Sequence, residues 1–502
     1  MRFPDAAYFI IASRLRPGLD GGYTVATMRR ALDFEQGGVT PTILTVELAP
    51  DVDELRRQFI ALGLATPRTV MRNLYADLRD NPSALRAFAA TATSRDAAPG
   101  SAPEAGADGL VEVTASDTRG PWRITTSAAD GETLSTTYLD AVGRPLLRIP
   151  YVSGRADWHR ADIRIDVLDE RGNVAGQLAG FGALYRFWVE SVLAESGADR
   201  AVVVCEAKQV GELLAVGERS YTLVHTVHNA HTAPPHAWDS PIDELWGGWF
   251  DVIDDMDAVL WLTETQRADA VRRFGEHANW IVVPHPAEPV QAHADEAPRD
   301  PNRVVMLARF VAQKRVEDAV EAWPALLARV PAARLDIYGD GPQRAELEAR
   351  IAELGLGERI TLHGHVTGAV DELTTAAALL LTSRHEGQPL VVLEALSRGC
   401  PIIAYDVHYG PADMIEDGRS GILVEAGNRD SLVDALAGVV GNPARIAELS
   451  AGAIHWASAN GSGVSMRLMA DLFTQLLSVP QGFSVPRRLS AAPVGAASPH
   501  TT

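Results

Sequence analysis

Glu386 and Glu394 stand eight residues apart in the run Arg384-His385-Glu386-Gly387-Gln388-Pro389-Leu390-Val391-Val392-Leu393-Glu394. Glu386 falls in a glycine-containing loop. Leu390, Leu393 and Leu396 are spaced as the buried side of a short helix that carries Glu394, and Gly399 is placed to stop it. Residues 401–405 then read as a buried parallel strand. A helix N-terminus offers free N–H groups and a partial positive charge to a phosphate-bearing ligand. One carboxylate near that end and another about two turns further on can accept hydroxyls at both ends of a nucleotide sugar. Arg309 and Lys314 lie around a loop after an earlier apolar strand, where two cations can neutralise a diphosphate: Arg as a planar fork, Lys as a movable point charge. His225, His228 and His231 cluster at another strand end. Their spacing is not a helical H-E-x-x-H and no carboxylate is interleaved, which argues against zinc. Each group also has a bland reading: solvated glutamates on a surface helix, an exposed cationic pair, structural loop histidines.

Composition bounds the field. The chain has 502 residues, enough for two or three domains. Its net charge of -20 argues against nucleic acid as a partner, because binding phosphates in bulk needs a basic face, although a local basic patch could serve an anionic acceptor. The two cysteines, Cys205 and Cys400, are too few for a disulfide scaffold and read as buried thiols. No run reaches transmembrane length and the first residues do not form a secretory leader, so a cytoplasmic protein is expected.

These motifs need positioning elements, and the chain supplies a strand–helix alternation. Tyr8–Ala12 reads as a strand, Gly21-Gly22 as a glycine loop and 23–34 as a helix, the opening of many doubly wound sheets. Residues 41–48 read as a second strand and 51–63 as a helix. Residues 94–109 are rich in Ala, Pro, Gly, Asp and Ser and read as a disordered loop. Residues 111–179 are strand-rich, and the Asp-x-x-Gly turns at 140–143 and 169–172 each predict a β-hairpin. The alternation returns at 201–205, 221–225, 258–262 and 280–284. After a Pro-rich linker at 287–302 a second series begins, with strands at 303–307, 335–338, 360–363 and 379–382. Tyr338-Gly339-Asp340-Gly341-Pro342 reads as a simple glycine turn. The implied domains are a first Rossmann-like part (1–65), an inserted antiparallel meander with its loop (66–195), the return of the first domain (196–290), a second Rossmann-like domain (291–477) and a disordered tail (478–502).

The Glu386–Glu394 string resembles the E-x7-E signature of retaining glycosyltransferases of family 4, which have the GT-B fold: α/β, with two Rossmann-like domains facing a cleft. The likeness continues through Tyr405-Asp406-Val407-His408-Tyr409-Gly410-Pro411 to Gly421. It extends upstream to Trp261-Leu262-Thr263-Glu264 and Arg309-Phe310-Val311-Ala312-Gln313-Lys314-Arg315. It is strong from about Tyr221 to Gly421 and patchy before, although Gly21-Gly22 fits. The subgroup it looks like glycosylates wall teichoic acids and serine-rich-repeat adhesins. The resemblance implies transfer of glucose or N-acetylglucosamine from a UDP-sugar, without cofactor or metal, to a cell-wall polymer, protein or other glycan acceptor. By the same resemblance Glu394 takes the ribose and Glu386 the donor hexose, Arg309 and Lys314 take the diphosphate, and His225 lines the pocket at the reacting carbon with His228 as second choice. Gly22, Gly387, Leu390 and His365 would complete the donor site. Pro389, which lacks an N–H, stands where many relatives have Gly. The β-rich insertion is expected to serve homo-oligomerisation or acceptor binding. A non-catalytic acceptor-binding partner would be expected to lack the cationic pair or the two glutamates, and all four are present. A nicotinamide oxidoreductase would need G-x-G-x-x-G after the first strand, which Gly21-Gly22 does not supply.

Overall fold

The computed structural model describes residues 2–17, 21–47, 51–92, 110–151, 163–287 and 298–478. The expected loop at 94–109, the tail and most of the Pro-rich linker lie outside them. The first lobe is built from two separated stretches of chain. Strands β1 (Ala7–Ala12), β2 (Thr42–Thr45) and β3 (Val70–Asn73) precede an insertion. That insertion is β4 (Val111–Asp117), β5 (Gly120–Ser127), β6 (Thr133–Leu139), β7 (Pro145–Pro150), β8 (Arg164–Leu168) and β9 (Val174–Ala179). The first sheet resumes with β10 (Ala201–Cys205), β11 (Thr222–Val227), β12 (Ala258–Trp261) and β13 (Trp280–Val282). Its strands run parallel in the order β13-β12-β11-β10-β1-β2-β3. The second lobe holds β14 (Asp300–Leu307), β15 (Arg334–Tyr338), β16 (Ile360–Gly364), β17 (Ala376–Leu381), β18 (Ile402–Asp406) and β19 (Gly421–Glu425), ordered β16-β15-β14-β17-β18-β19.

The apolar runs explain these sheets. β10, β11 and β17 are buried at every position, as parallel strands covered by helices on both faces must be. Alternation sorts the first sheet's side chains into two cores. Phe9, Ile11, Val203, Cys205, Leu223 and Val227 face one layer. Tyr8, Ile10, Val202, Val204 and Val224 face the other. In both sheets the strand order reverses beside a central strand, at β1/β10 and at β14/β17, so a crevice opens at the strands' carboxyl ends.

The insertion is a consecutive antiparallel meander. Both expected hairpin turns form. Asp140 accepts from the N–H groups of Val142 and Arg144, and Asp169 accepts from those of Arg171 and Asn173. One face of the meander is not a separate module: Tyr138, Leu147, Ile165, Val167 and Leu178 share a core with Trp188 and the first sheet.

Three boundaries differ from the sequence reading. β3 belongs to the parallel sheet, so the insertion starts later than residue 66; four residues, two of them polar, give too short a pattern to recognise as a strand. The helix Gly180–Ser196 buries Phe181, Leu184, Trp188 and Val189 in the first lobe's core. The last helix, Ser462–Ser478, follows the second lobe in sequence yet buries Met466, Met469 and Phe473 against Phe3, Tyr8 and Phe34 of the first. Periodicity shows that a helix has an apolar face but not which lobe receives it. Phe473 is fully buried and stacks on Phe34. Phe473→Ala should therefore destabilise the first lobe by about 3–5 kcal/mol. Chemical denaturation checks this, and an unchanged transition would contradict the docking of this helix.

Candidate active site

Glu386 sits on the loop after β17, and Lys314 on the loop after β14, at the second sheet's reversal point. Their side chains meet, with Lys314 Nζ 2.5 Å from Glu386 Oε1. The two loops are tied by backbone: Arg384 N–H donates to the Gln313 carbonyl, and Gln313 Nε2 donates to the His385 carbonyl. Thr382 Oγ1 bonds the carbonyls of Lys314 and Arg315 at 3.0 and 2.9 Å. Arg309 stands at the start of the same loop, exposed and without an ion-pair partner among the described residues. The turn at 339–341 explains the loop's placement. A Cβ on Gly339 would lie 1.9 Å from the Ala308 carbonyl oxygen, and one on Gly341 2.5 Å from that of Phe310. These glycines therefore let the turn press against the Arg309 loop.

The helix Leu390–Ser397 starts after Pro389, which provides no side-chain cap, so its first N–H groups have no cap of that kind. Leu393 and Leu396 are buried and Leu390 is half-buried against the same core. Glu394 lies on this helix and is already engaged: Arg29 Nη2 is 3.0 Å from its Oε1. Burial raises the Glu394 pKa, and Arg29 opposes that rise. Arg29 belongs to the first lobe's helix Gly21–Gln36, so this ion pair crosses between lobes.

Gly387 makes the closest crossing. A Cβ there would be 2.2 Å from the His228 carbonyl oxygen, so a side chain would drive the lobes apart. Beside it, Gln388 Oε1 accepts from the His285 N–H at 2.8 Å. Thr265 donates both its N–H and its hydroxyl to Asp413. Gly22, in the first turn of its helix, has open space where a Cβ would be. His365 is exposed beyond β16, and among the described residues no hydrogen bond or ion pair joins it to the other candidates.

The histidines are placed differently from the expectation. His225 is fully buried, and its ring lies 5.3 Å from that of Trp249. A Cβ on Gly211 would lie 2.4 Å from its Nδ1, so the helix Lys208–Ala215 presses directly on the ring. The strand runs on to Val227, which leaves His225 on the same core-facing side as Leu223. His228, one residue beyond the strand, is the histidine whose backbone meets Gly387. Its Nε2 lies 2.5 Å from Glu206 Oε2. Glu206 is buried and has Arg30 Nε 2.7 Å from its Oε1. Burial opposes the Glu206 charge, but Arg30 and then His228 outweigh it and hold the carboxyl down at about 2. Arg29, Arg30, Glu206 and His285 were not singled out from sequence. Glu206 carried a signal, since a carboxylate directly after the all-apolar strand 201–205 sits at a carboxyl strand end.

Among the described residues no group of three or more His, Cys, Asp or Glu is arranged to hold a metal ion, and no helix is long and apolar enough to cross a membrane. Cys205 and Cys400 are buried free thiols.

Residues 290–456, within the second half of the chain, match the family model described as "Glycosyl transferases group 1". The chain is 26% identical over 284 residues to a poly(glycerol-phosphate) alpha-glucosyltransferase of Bacillus subtilis (strain 168), covering 56% of this chain and 40% of that protein. It is 28% identical over 235 residues to the GtfA subunit of a UDP-N-acetylglucosamine–peptide N-acetylglucosaminyltransferase of Streptococcus gordonii, covering 45% of this chain and 46% of that one. The chain thus spans less than half the length of these curated relatives. A crystal structure of TarM superposes with TM-score 0.74 at 18% identity, covering 94% of this chain and 99% of that one. The pneumococcal O-GlcNAc transferase GtfA, solved with UDP and GlcNAc, gives TM-score 0.64 at 16% identity over 95% of this chain and 100% of that one. The fold is therefore GT-B, two Rossmann-like lobes with a β-rich insertion in the first.

The buried histidines set the acid response. Burial, with a smaller contribution from His228, lowers His225 to about 3; burial also lowers His231 to about 4. A folded value below the unfolded 6.5 means that the unfolded chain takes up protons first. Stability from these residues is thus complete above pH 6.5 and is lost as pH falls towards 3. At pH 5 each costs about 2 kcal/mol relative to neutral pH. The melting temperature should drop by several degrees between pH 7 and pH 5, and His225→Leu should flatten that dependence in scanning calorimetry.

Proposed function

We propose that this chain is a retaining glycosyltransferase that moves glucose or N-acetylglucosamine from a UDP-sugar to a hydroxyl of a cell-wall polymer, protein or other glycan. The observation that carries this reading is the Lys314–Glu386 contact beside the exposed Arg309 at the second sheet's reversal point. A diphosphate entering there meets two cations, one held by a carboxylate that it can displace. Negative charge grows on the leaving UDP as the bond from the anomeric carbon to the diphosphate oxygen breaks. Fixed cations that strengthen their hold at that moment lower the barrier. Once Lys314 turns to phosphate, Glu386 is free to accept hydroxyls of the hexose. The acceptor oxygen attacks from the face that the diphosphate leaves, and a diphosphate oxygen takes its proton. One relative is named for a poly(glycerol-phosphate) acceptor and the other for a UDP-N-acetylglucosamine donor and a peptide acceptor, which supports a UDP-sugar donor and leaves the acceptor class broad. The meander's outer strand exposes Val111 and Val113 and is the proposed surface for acceptor or a second copy of this chain.

The reading predicts slow nucleotide release from one UDP-sugar in a panel of UDP- and GDP-sugars. Arg309→Ala with Lys314→Ala should cut that release by at least about 100-fold. Release unaffected by the double substitution would refute the diphosphate site. Glu394 is proposed to accept the ribose hydroxyls, so the Arg29 pair must yield when nucleotide binds. The pair is partly exposed and worth roughly 0.2–1 kcal/mol. Arg29→Ala should accordingly tighten UDP binding by up to about fivefold in titration calorimetry, whereas weaker binding would make Arg29 a ligand contact.

A further inference from the structure

Glu206 is a carboxylate shut away from the solvent surface. Its side chain is fully buried, directly after the all-apolar β10 and next to the end of β11. Burying a charge costs several kcal/mol unless partners compensate. One oxygen is occupied by Arg30, itself 3% exposed. That ion pair alone would neutralise the carboxylate. The second oxygen reaches out to His228 Nε2 at 2.5 Å, at the edge of the cleft. The imidazole is held on further sides, with the Tyr23 ring edge-on at 5.5 Å and the His285 ring stacked at 5.6 Å. The His228 carbonyl abuts Gly387, the neighbour of Glu386. Arg30, Glu206, His228 and His285 therefore form a continuous run of contacts from the core of the first lobe to the loop of the second.

We propose that Glu206 is a positioning residue that fixes His228 in the tautomer with the proton on Nε2, leaving Nδ1 as a hydrogen-bond acceptor for a hydroxyl of the donor sugar or the acceptor. The inference rests on the reading of this cleft as a sugar-nucleotide site. Its physical basis is that an ionised carboxylate can only accept, so the ring nitrogen facing it must carry the hydrogen. Arg30 keeps Glu206 ionised, in keeping with its depressed pKa. His228 retains 17% of its side-chain surface exposed, enough for a ligand to reach it. No other described residue is hydrogen-bonded to His228 through its side chain, so the carboxylate alone orients the ring by hydrogen bonding.

The test uses full-length protein carrying 15N-histidine, with the His228 ring signals assigned by their loss in His228→Gln. Long-range 1H–15N spectra of the wild type should show the Nε2–H tautomer. An Nδ1–H tautomer, or an unresolved average of the two, overturns the proposal, whatever any variant does. Glu206→Gln should lose the single-tautomer signature. It should also cut the rate constant for UDP release on the order of 100-fold, with KM for the UDP-sugar within about twofold. Glu206→Asp, which keeps the acceptor, should recover part of that rate. Unchanged kcat in Glu206→Gln, or a loss carried by KM, overturns the positioning role. Calorimetric titration of the wild type with UDP separates the two readings. Absent binding there refutes the sugar-nucleotide site, while the wild-type spectrum still decides how Glu206 holds His228.

Discussion

The two lobes can meet only because residue 387 has no side chain. The His228 carbonyl occupies the space a Cβ would need, 2.2 Å from its position. Around that point the crossing is polar. His285 donates to Gln388, Thr265 donates to Asp413, and Arg29 pairs with Glu394. Interfaces of this kind, made of a few hydrogen bonds and a partly exposed ion pair, close readily and open readily. The loop with Glu386 is thereby placed against the histidine of the other lobe, which neither lobe could arrange alone.

Charge is handled in opposite ways on the two sides of that contact. In the second lobe Lys314 pairs closely with the buried Glu386 but keeps part of its side chain exposed, so an anion entering the cleft can draw it away. In the first lobe Glu206 and Arg30 are sealed in the core, where breaking either partner would strand the other. The movable pair suits groups that exchange partners as a ligand arrives. The sealed pair suits a fixed reference against which His228 is oriented. Each cation–carboxylate pair sits at carboxyl ends of strands near a reversal of strand order, the position that parallel sheets leave open.

The meander is bound into this frame by its core rather than by a linker. Tyr138, Leu147, Ile165 and Val167 pack in the same apolar layer as Trp188 and the first sheet. Its position is consequently fixed relative to the cleft, while its outer strand stays exposed. The last helix does the same for the opposite layer, returning from the second lobe to bury Phe473 beside Phe34. The first lobe is thus completed by chain from three places in the sequence.

Local pattern determined the parallel strands other than β3 and β19, the Asp-x-x-Gly hairpins and the short helix carrying Glu394, because apolar runs, turn residues and helical spacing act over a few neighbours. The Glu386–Glu394 spacing and the Arg309–Lys314 loop were equally legible, since each pair lies within a dozen residues. What the sequence could not determine is which groups the folded chain brings together. Arg29 reaching Glu394 and the last helix crossing to the first lobe depend on how the lobes close, and Glu206 reaching His228 depends on β10 lying beside β11 in the first sheet. The histidines show the limit most sharply. His225 and His228 are both polar residues near one strand end, and composition treats them alike. Extension of β11 by two residues to Val227 turns His225 into the core beside Trp249 and delivers His228 to the cleft. A side chain's face is fixed by the register of its strand in the sheet, and that register is a property of the assembled fold.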